Sequence, residues 1–221
     1  MSRVTASYEK LRDLIVSRQL LPGASIIDVH IARRLGVSRT TVRIALHRLQ
    51  QEGFIVASDL GTYSRLLVAP VDEADVRELA RLIAELEAIA VERAALLERP
   101  DRKQLVRRLK QANRDLLLAG RGNVARDVFE QDRVFHRVCV DTAAGPRVRA
   151  LYDVVKPQWD RYGMMYSASM VDRRAVGVSV REHTAIIGAI DRGNTAAARR
   201  AVRATWSAGA ERLARFLTSL T

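Results

Sequence analysis

The sequence predicts a mainly α-helical protein in which three helices and a small β-hairpin are followed by an all-α antiparallel helical bundle. The 221 residues are 48% apolar but only 5% aromatic, so the interior must be built mostly from leucine, valine, isoleucine and alanine. Apolar residues recur at helical spacing along most of the chain, whereas β-type runs are confined to residues 54–69. Pro70 and the acidic stretch VDEADVRE divide the chain into a first domain of residues 1–69 and a second of residues 70–221.

Three helical patterns precede the hairpin in the first domain. TASYEKLRDLIVSRQLLPG has an apolar face and ends at a Pro-Gly turn, and IIDVHIARRLG ends at Gly36. The third helix begins after Ser38, whose side chain is expected to cap the free N–H groups, and it ends at Gly53. Its apolar residues follow the i, i+3, i+4, i+7 pattern of an amphipathic helix: Val42, Ala45, Leu46 and Leu49.

The order of these elements is that of a helix-turn-helix with a wing. A short turn that contains Gly36 joins the second and third helices. After the third helix, FIVAS and TYSRLLV flank Asp59-Leu60-Gly61 as the two strands of a hairpin. In a helix-turn-helix, the amino end of the second helix of the motif, which is the third helix of this domain, enters the major groove of DNA. Its free N–H groups favour contact with phosphate. The first domain is therefore predicted to be a winged helix-turn-helix that binds double-stranded DNA.

The predicted recognition helix begins with polar and basic side chains that suit DNA. Arg39 and Arg43 lie four residues apart on one helix face, where one guanidinium can bind guanine and the other the backbone. The net charge of +12 agrees with a polyanionic partner, although an anionic membrane surface or a simply solvated basic face would also account for it. The residues predicted to contact DNA are Ser38, Arg39, Thr40, Thr41, Arg43, Gly61 and Thr62.

Residues 6–68 resemble the winged-helix domain of the GntR family of bacterial transcription regulators. The similarity is carried by the Pro-Gly turn and by IARRLGVSRTTVRIALHRLQQEGFI. It implies that Arg39, Arg43 and Gly61 contact operator DNA, with Ser38, Thr40 and Thr41 beside them. The sequence departs from the usual family pattern at several positions. Thr41 takes the place of a proline, and Ile27 that of a capping serine, so Asp28 is expected to cap the second helix instead.

The second domain has helical patterns throughout. They cover residues 72–97, 101–119, 123–142, 146–168, 172–192 and 194–219. The segments DRVFH and REHTAIIGAIDRGNTAAARRAV resemble the all-helical ligand domain, called FCD, of the FadR branch of the same family. This resemblance implies an effector-binding and dimerisation domain.

Three side chains of the second domain form a candidate metal site. Asp132 and His136 lie four residues apart on one helix face and can bind one cation together with His183 from a facing helix. They match the first three ligands of the Asp-His-His-His sites in metal-binding members of the family, whereas Thr205 takes the place of the fourth. Three ligands with a water or an effector carboxylate can hold Zn²⁺ or Ni²⁺. The missing imidazole fits a metal-free pocket equally well.

The resemblance also implies a small-molecule effector, and we expect a carboxylate metabolite. Family members often carry an arginine four residues before the glutamate of an LE pair, but Ile83 precedes Leu86-Glu87 at that place. The candidate ligand-binding residues are therefore Arg81, Arg161 and Tyr162, with ordinary core packing as their alternative role.

Together these features predict a ligand-responsive repressor rather than an enzyme. A homodimer would present two recognition helices about one DNA turn apart, which suits a palindromic operator. There are two alternatives. One is a metal-dependent enzyme that uses Asp132, His136 and His183, and the other is an effector-independent architectural DNA-binding protein.

No apolar run approaches the roughly 18 residues of a membrane span. The single cysteine excludes internal disulfides, so a cytoplasmic location without a membrane partner is expected.

Overall fold

The computed structural model describes residues 2–58, 65–122, 124–167 and 173–219. The chain divides into two compact units, Met1–Asp72 (unit 1) and Glu73–Thr221 (unit 2). Nine helices and a three-stranded antiparallel sheet occur within the described residues, which confirms the predicted fold class. None of the helices in this part of the chain is long and apolar enough to cross a membrane.

Unit 1 is built around one apolar core. Its elements are α1 (Arg3–Val16), β1 (Ser25–Ile26), α2 (Asp28–Leu35), α3 (Arg39–Gln51), β2 (Ile55–Ser58) and β3 (Arg65–Val68). The predicted apolar stripe of α3 is buried, and Leu11 and Ile15 of α1 belong to the same core. Because this stripe faces inward, the opposite face of α3 remains exposed to solvent.

The predicted hairpin is present, with β2 and β3 antiparallel and Ile55 opposite Val68. Its predicted turn, Asp59-Leu60-Gly61, lies outside the described residues. A third strand, β1, was not expected from the sequence; in it Ser25 pairs with Leu67 of β3. Two residues are too few to show an alternating pattern, and β1 forms only because β3 offers a free edge.

The turn between α2 and α3 positions the first residues of α3. Gly36 ends α2 in the left-handed conformation, with a φ of 67°. The Ser38 hydroxyl oxygen accepts a hydrogen bond from the backbone N–H of Thr41 at 3.1 Å, as predicted for the cap of α3. The expected cap of α2 by Asp28 is wrong. Ile27 is the N-cap residue, and its hydrocarbon side chain has no acceptor for a cap hydrogen bond. The Asp28 carboxylate binds two arginines of α3 instead.

Ser38→Ala is expected to lower the free energy of unfolding by about 1 kcal/mol, because one N–H in the first turn of α3 loses its acceptor. Ser38→Gly is expected to cost only a few tenths of a kcal/mol, since glycine is itself tolerated at this position. Urea unfolding followed by circular dichroism compares the two variants with the unmodified chain. Equal losses for both variants would contradict the assigned cap.

Unit 2 is an all-helical bundle. Its helices are α4 (Glu73–Ala95), α5 (Arg99–Gly122), α6 (Ala125–Ala143), α7 (Pro146–Ser167), α8 (Arg173–Asp191) and α9 (Thr195–Thr218). The central helix is α4, which contacts α6, α7, α8 and α9. Its inward face is mainly apolar but includes the buried carboxylate of Glu87.

Helix α5 extends beyond the predicted residues 101–119 at both ends. Pro100 lies in its first turn, where the missing N–H would have no helical acceptor. Gly120 was expected to break the helix but lies within it. A Cβ atom there would be only 2.9 Å from Cγ1 of Val176, so this glycine permits the close packing of α5 against α8.

Candidate DNA interface and metal centre

The amino end of α3 is a cationic and exposed surface of unit 1. The side chains of Arg39 and Arg43 are 58% and 66% exposed, respectively. Ser38 and Thr40 are also exposed, and Thr41 is half-buried. The structure therefore brings these five predicted DNA-binding residues to one end of α3. The remaining two, Gly61 and Thr62, lie outside the described residues.

Both arginines of this surface bind the same carboxylate, which sequence reasoning considered only as a helix cap. The Arg43 Nε donates to Oδ2 of Asp28 at 2.7 Å, and the Arg39 Nη2 lies 3.2 Å from each Asp28 oxygen. The hydrogen bond from Arg43, with a further one from Arg39, holds the pKa of Asp28 below its usual value. Asp28 is therefore ionised at neutral pH and keeps the two guanidinium groups close together.

A cavity of about 80 Å³ lies in unit 2, with walls from α5, α6, α7, α8 and α9. A site of this size can hold several waters or a small organic molecule, since each water needs roughly 10–15 Å³. Its walls are largely apolar and aromatic, with a few charged groups. The charged and imidazole side chains among the lining residues are Asp132, His136, Lys156, Glu182, His183 and Arg212.

The three residues of the predicted metal site meet at this cavity. Asp132 and His136 project from one face of α6, and His183 approaches from α8. Their candidate ligand atoms all lie within 4.8 Å of one another. The Nε2 atom of His183 is 3.6 Å from Oδ1 of Asp132. One cation can therefore contact all three side chains after small adjustments of their rotamers.

The hydrogen bonds around His183 define which nitrogen faces the cavity. Asn113 donates through Nδ2 to the carbonyl of Val180 at 3.1 Å, so its Oδ1 is the acceptor for His183 Nδ1–H, also at 3.1 Å. The Nε2 atom then carries a lone pair. It is buried and has no hydrogen-bond partner within the described residues. Burial, reinforced by His136, lowers the pKa of His183 well below its usual value.

An unpartnered buried lone pair is costly in a folded protein, and a cation ligand satisfies it directly. This observation supports the fit of a divalent metal to the three residues.

His136 is held by a buried carboxylate that sequence reasoning did not recognise as part of the site. Its Nδ1 lies 2.8 Å from Oε2 of Glu87 on α4. Although burial opposes the charged form, ionised Glu87 raises the pKa of His136 above its usual value. The sequence did contain one indication of it, because Glu87 follows Ile83 by four residues and therefore lies on the apolar face of α4.

Thr205 lines the cavity from α9, at the place of the fourth family ligand. Its Oγ1 donates to the carbonyl of Ala201 at 3.0 Å, which is a common hydrogen bond for a threonine within a helix. Thr205 is therefore near the three other residues but does not replace the imidazole. A metal at this site would keep at least one position for water or another ligand.

The three predicted ligand-binding residues do not line this cavity. The cavity face of α7 carries residues 156, 159, 163 and 166, so helical spacing turns Arg161 and Tyr162 away from it. Both lie near Asp75 instead, and the Tyr162 hydroxyl donates to its carboxylate. Arg81 is exposed on α4, at a separate surface groove beside α9.

The cations that do line the cavity are Lys156 and Arg212. Arg212 donates from Nη1 and Nη2 to the two carboxylate oxygens of Glu182, at 2.8 and 3.0 Å. Lys156 is buried and donates to Asp160 one turn later on α7. Two cations, each balanced by a neighbouring carboxylate, therefore flank the three candidate ligands.

Comparisons with known proteins agree with this two-unit architecture. Residues 65–208 match the FCD domain, and residues 4–61 match the family described as bacterial regulatory proteins, gntR family. One relative is an uncharacterized HTH-type transcriptional regulator in the TAR-I ttuE-ttuC' intergenic region of Agrobacterium vitis. The chain is 30% identical to it over 143 residues, which cover 64% of this chain and 81% of that protein. It is 25% identical to the uncharacterized HTH-type transcriptional regulator YdhC of Bacillus subtilis, covering 93% and 88% of the two chains, respectively.

Solved structures share the fold at low sequence identity. McbR/YncC of E. coli has a TM-score of 0.77 at 20% identity, covering 98% of this chain and 99% of that one. A putative GntR transcriptional regulator from Rhodococcus sp. RHA1 has a TM-score of 0.74 at 21% identity, covering 96% and 98%. The FCD match alone spans more than half of the chain, and the relatives are transcriptional regulators rather than enzymes. The chain therefore belongs to the GntR family of bacterial transcription regulators, within the group that carries an FCD domain.

Proposed function

We propose that this regulator is a ligand-responsive repressor that binds a palindromic operator as a homodimer in the cytoplasm. The observation that carries the proposal is the exposed amino end of α3, where the side chains of Arg39 and Arg43 project into solvent beside the buried stripe. A helix end of this kind combines free N–H groups with two guanidinium donors, and it fits the major groove.

In the proposed complex the residues of this surface contact different parts of the DNA. One of Arg39 and Arg43 forms a bidentate hydrogen bond to a guanine, and the other binds the backbone. Ser38, Thr40 and Thr41 donate hydroxyl hydrogen bonds to neighbouring phosphates. By the family resemblance Gly61 would contact DNA from the wing, and Thr62, the next residue of the predicted hairpin, would do so beside it.

Unit 2 is proposed to be the sensor and the dimerisation domain. Asp132, His136 and His183 would hold Zn²⁺ or Ni²⁺, and the orphaned Nε2 of His183 is the main support for this assignment. A bound divalent cation supplies a Lewis-acidic position for a carboxylate oxygen. Arg212 can bind the same carboxylate if Glu182 yields its place, so a small carboxylate is the proposed effector.

The effector would act by favouring one arrangement of the two DNA-binding units of the dimer. A ligand shifts such an equilibrium only through a difference in its affinity for the two arrangements. The dimer itself is proposed because one short recognition helix per chain specifies too few base pairs, whereas a two-fold pair reads an inverted repeat.

Selection from a pool of random-sequence duplexes tests the proposal. We expect an enriched inverted repeat with half-sites about 10 base pairs apart, or a multiple of this. Light scattering should give twice the mass of the chain. Within a panel of acetate, lactate, malonate and succinate, at least one compound should weaken binding to the enriched duplex. Equal affinity for enriched and scrambled duplexes would instead support the architectural alternative.

Asp28→Asn is expected to increase affinity for scrambled duplex roughly two- to tenfold, because one negative charge leaves the DNA-facing surface. The ratio of specific to non-specific affinity should fall, since Arg39 and Arg43 lose the carboxylate that holds them together. Fluorescence anisotropy at several salt concentrations measures both effects.

Asp13→Asn is the matched control for this substitution, because Asp13 is exposed on α1 of the same unit. It removes the same charge without touching either arginine. If the two variants changed the specificity ratio equally, Asp28 would have no positioning role.

A further inference from the structure

We infer that Glu87 is the positioning residue of the metal centre: its carboxylate orients His136 so that Nε2 points to the cation. The inference rests on the metal assignment within the proposed function. Glu87 does not touch the cavity, and it belongs to α4, a different helix from those of the three candidate ligands. Among the three candidate ligands, its hydrogen bond is to His136.

Three donors from three helices converge on the Glu87 carboxylate. His136 of α6 and Trp206 of α9 bind Oε2 at 2.8 and 2.9 Å, and the Tyr152 hydroxyl of α7 binds Oε1 at 2.9 Å. Glu87 is only 2% exposed. A buried carboxylate with both oxygens occupied cannot rotate without breaking hydrogen bonds to several helices, so its position is fixed by the bundle.

The fixed carboxylate determines the orientation of the His136 ring. Because the Glu87 carboxylate accepts a hydrogen bond from Nδ1 of His136, this nitrogen carries the hydrogen. The other ring nitrogen, Nε2, is then free to act as a ligand together with Asp132 and His183. A carboxylate behind a metal-binding imidazole sets its tautomer and increases its basicity as a ligand. Asn113 plays the corresponding part behind His183, but as a neutral amide.

A purely structural role would not require a charged group at this place. A glutamine has the same shape, and its amide oxygen can still accept from His136 and Trp206 while its NH₂ donates to the Tyr152 hydroxyl, but it carries no negative charge. Glu87→Gln therefore keeps the volume of the side chain but removes the negative charge that fixes the tautomer of His136 and increases its basicity as a ligand. This substitution separates positioning from simple packing.

The first test measures the affinity of the chelator-treated full chain for Zn²⁺ and Ni²⁺ by competition with a chromophoric chelator. Glu87→Gln is expected to weaken binding about 10- to 100-fold, the usual cost of losing an outer-shell partner. Tyr152→Phe is the matched control, because it removes a donor from the same carboxylate but leaves the bond to His136 intact. It should change metal affinity by about threefold or less.

A second measurement on the unmodified chain does not depend on how well the variant folds. Protein labelled with ¹⁵N-histidine is titrated with ZnCl₂ and followed by nuclear magnetic resonance of the imidazole nitrogens. The expected spectrum shows Nε2 of His136 bound to zinc and Nδ1 protonated. Ligation through Nδ1 would overturn the inference, because that atom is assigned to Glu87.

The outcomes separate this inference from the metal proposal itself. If the unmodified chain binds neither Zn²⁺ nor Ni²⁺, the metal assignment fails, and the role of Glu87 fails with it. If the chain binds metal but folded Glu87→Gln binds equally tightly, only the role of Glu87 is wrong. Equal weakening by Glu87→Gln and Tyr152→Phe would likewise reduce Glu87 to a packing residue.

Discussion

Replacing Arg39 and Arg43 together with alanine is expected to weaken binding to the selected duplex by at least about 30-fold, with little change in helix content. The guanidinium that reads a base contributes about 1–3 kcal/mol of specific affinity, and the one that binds the backbone adds affinity for both duplexes. Both side chains are exposed and contribute nothing to the core of unit 1. The loss should therefore appear in DNA binding and not in stability. Fluorescence anisotropy with selected and scrambled duplexes measures it.

Arg48→Ala is the control for this double variant, because Arg48 is exposed on the same helix but lies near its carboxyl end. Arg48 binds Glu52 at 2.9 Å and stacks over the ring of Tyr8. Its loss should reduce affinity for both duplexes alike, through charge alone. Wild-type discrimination in the double variant would show that another surface of unit 1 recognises the operator.

Most of the fold follows from local patterns, and the exceptions have a common cause. Helical spacing located all six helices of unit 2, and the apolar stripe of α3 predicted which of its faces is buried. The errors at Gly120 and at β1 concern residues whose conformation depends on a distant partner. Gly120 lies within α5 at a point where Val176 leaves no room for a side chain, and β1 exists because Leu67 lies opposite. The local sequence of a helix or strand does not show which distant residue will pack against it.

The same distinction explains which parts of the candidate metal site could be predicted. Asp132 and His136 share one helix face, so their spacing brings them together whatever the rest of the bundle does. The carboxylate behind His136 comes from a helix 49 residues earlier in the chain. Only the packing of α4 against α6 creates that contact, and an apolar stripe interrupted by one glutamate was the sole sign of it.

The predicted effector residues lie outside the cavity for a geometric reason. Arg161 was chosen by residue type in an aromatic-rich helix, without a test of which face of α7 meets the cavity. Lys156 lies on the cavity face, and Arg161 does not. Helical spacing counted from Trp159 would have favoured Gly163 and Lys156 over Arg161. Arg212 could not be found in this way, since nothing in α9 alone shows that it pairs with Glu182.

His183→Asn is expected to abolish the stabilisation of the chain by zinc. At a free concentration one hundred times the dissociation constant, a ligand that binds only the folded state adds about 2.7 kcal/mol to the free energy of unfolding. Asparagine retains an N–H near the place of Nδ1, which can still bind Asn113, but it has no counterpart of Nε2. The variant should therefore lose its response to ZnCl₂ in thermal unfolding.

The metal-free variant will itself be less stable, because the His183 ring stacks on Phe135 with a centroid distance of 3.6 Å. The decisive quantity is therefore the difference between melting temperatures with and without zinc, measured for each protein. Ser179→Ala serves as the control, since Ser179 lines the same cavity one turn earlier on α8 and is not a candidate ligand. It should keep the full zinc response. An equal response in His183→Asn would show that zinc binds elsewhere, and the lone pair of Nε2 would then have to be satisfied by something other than a metal.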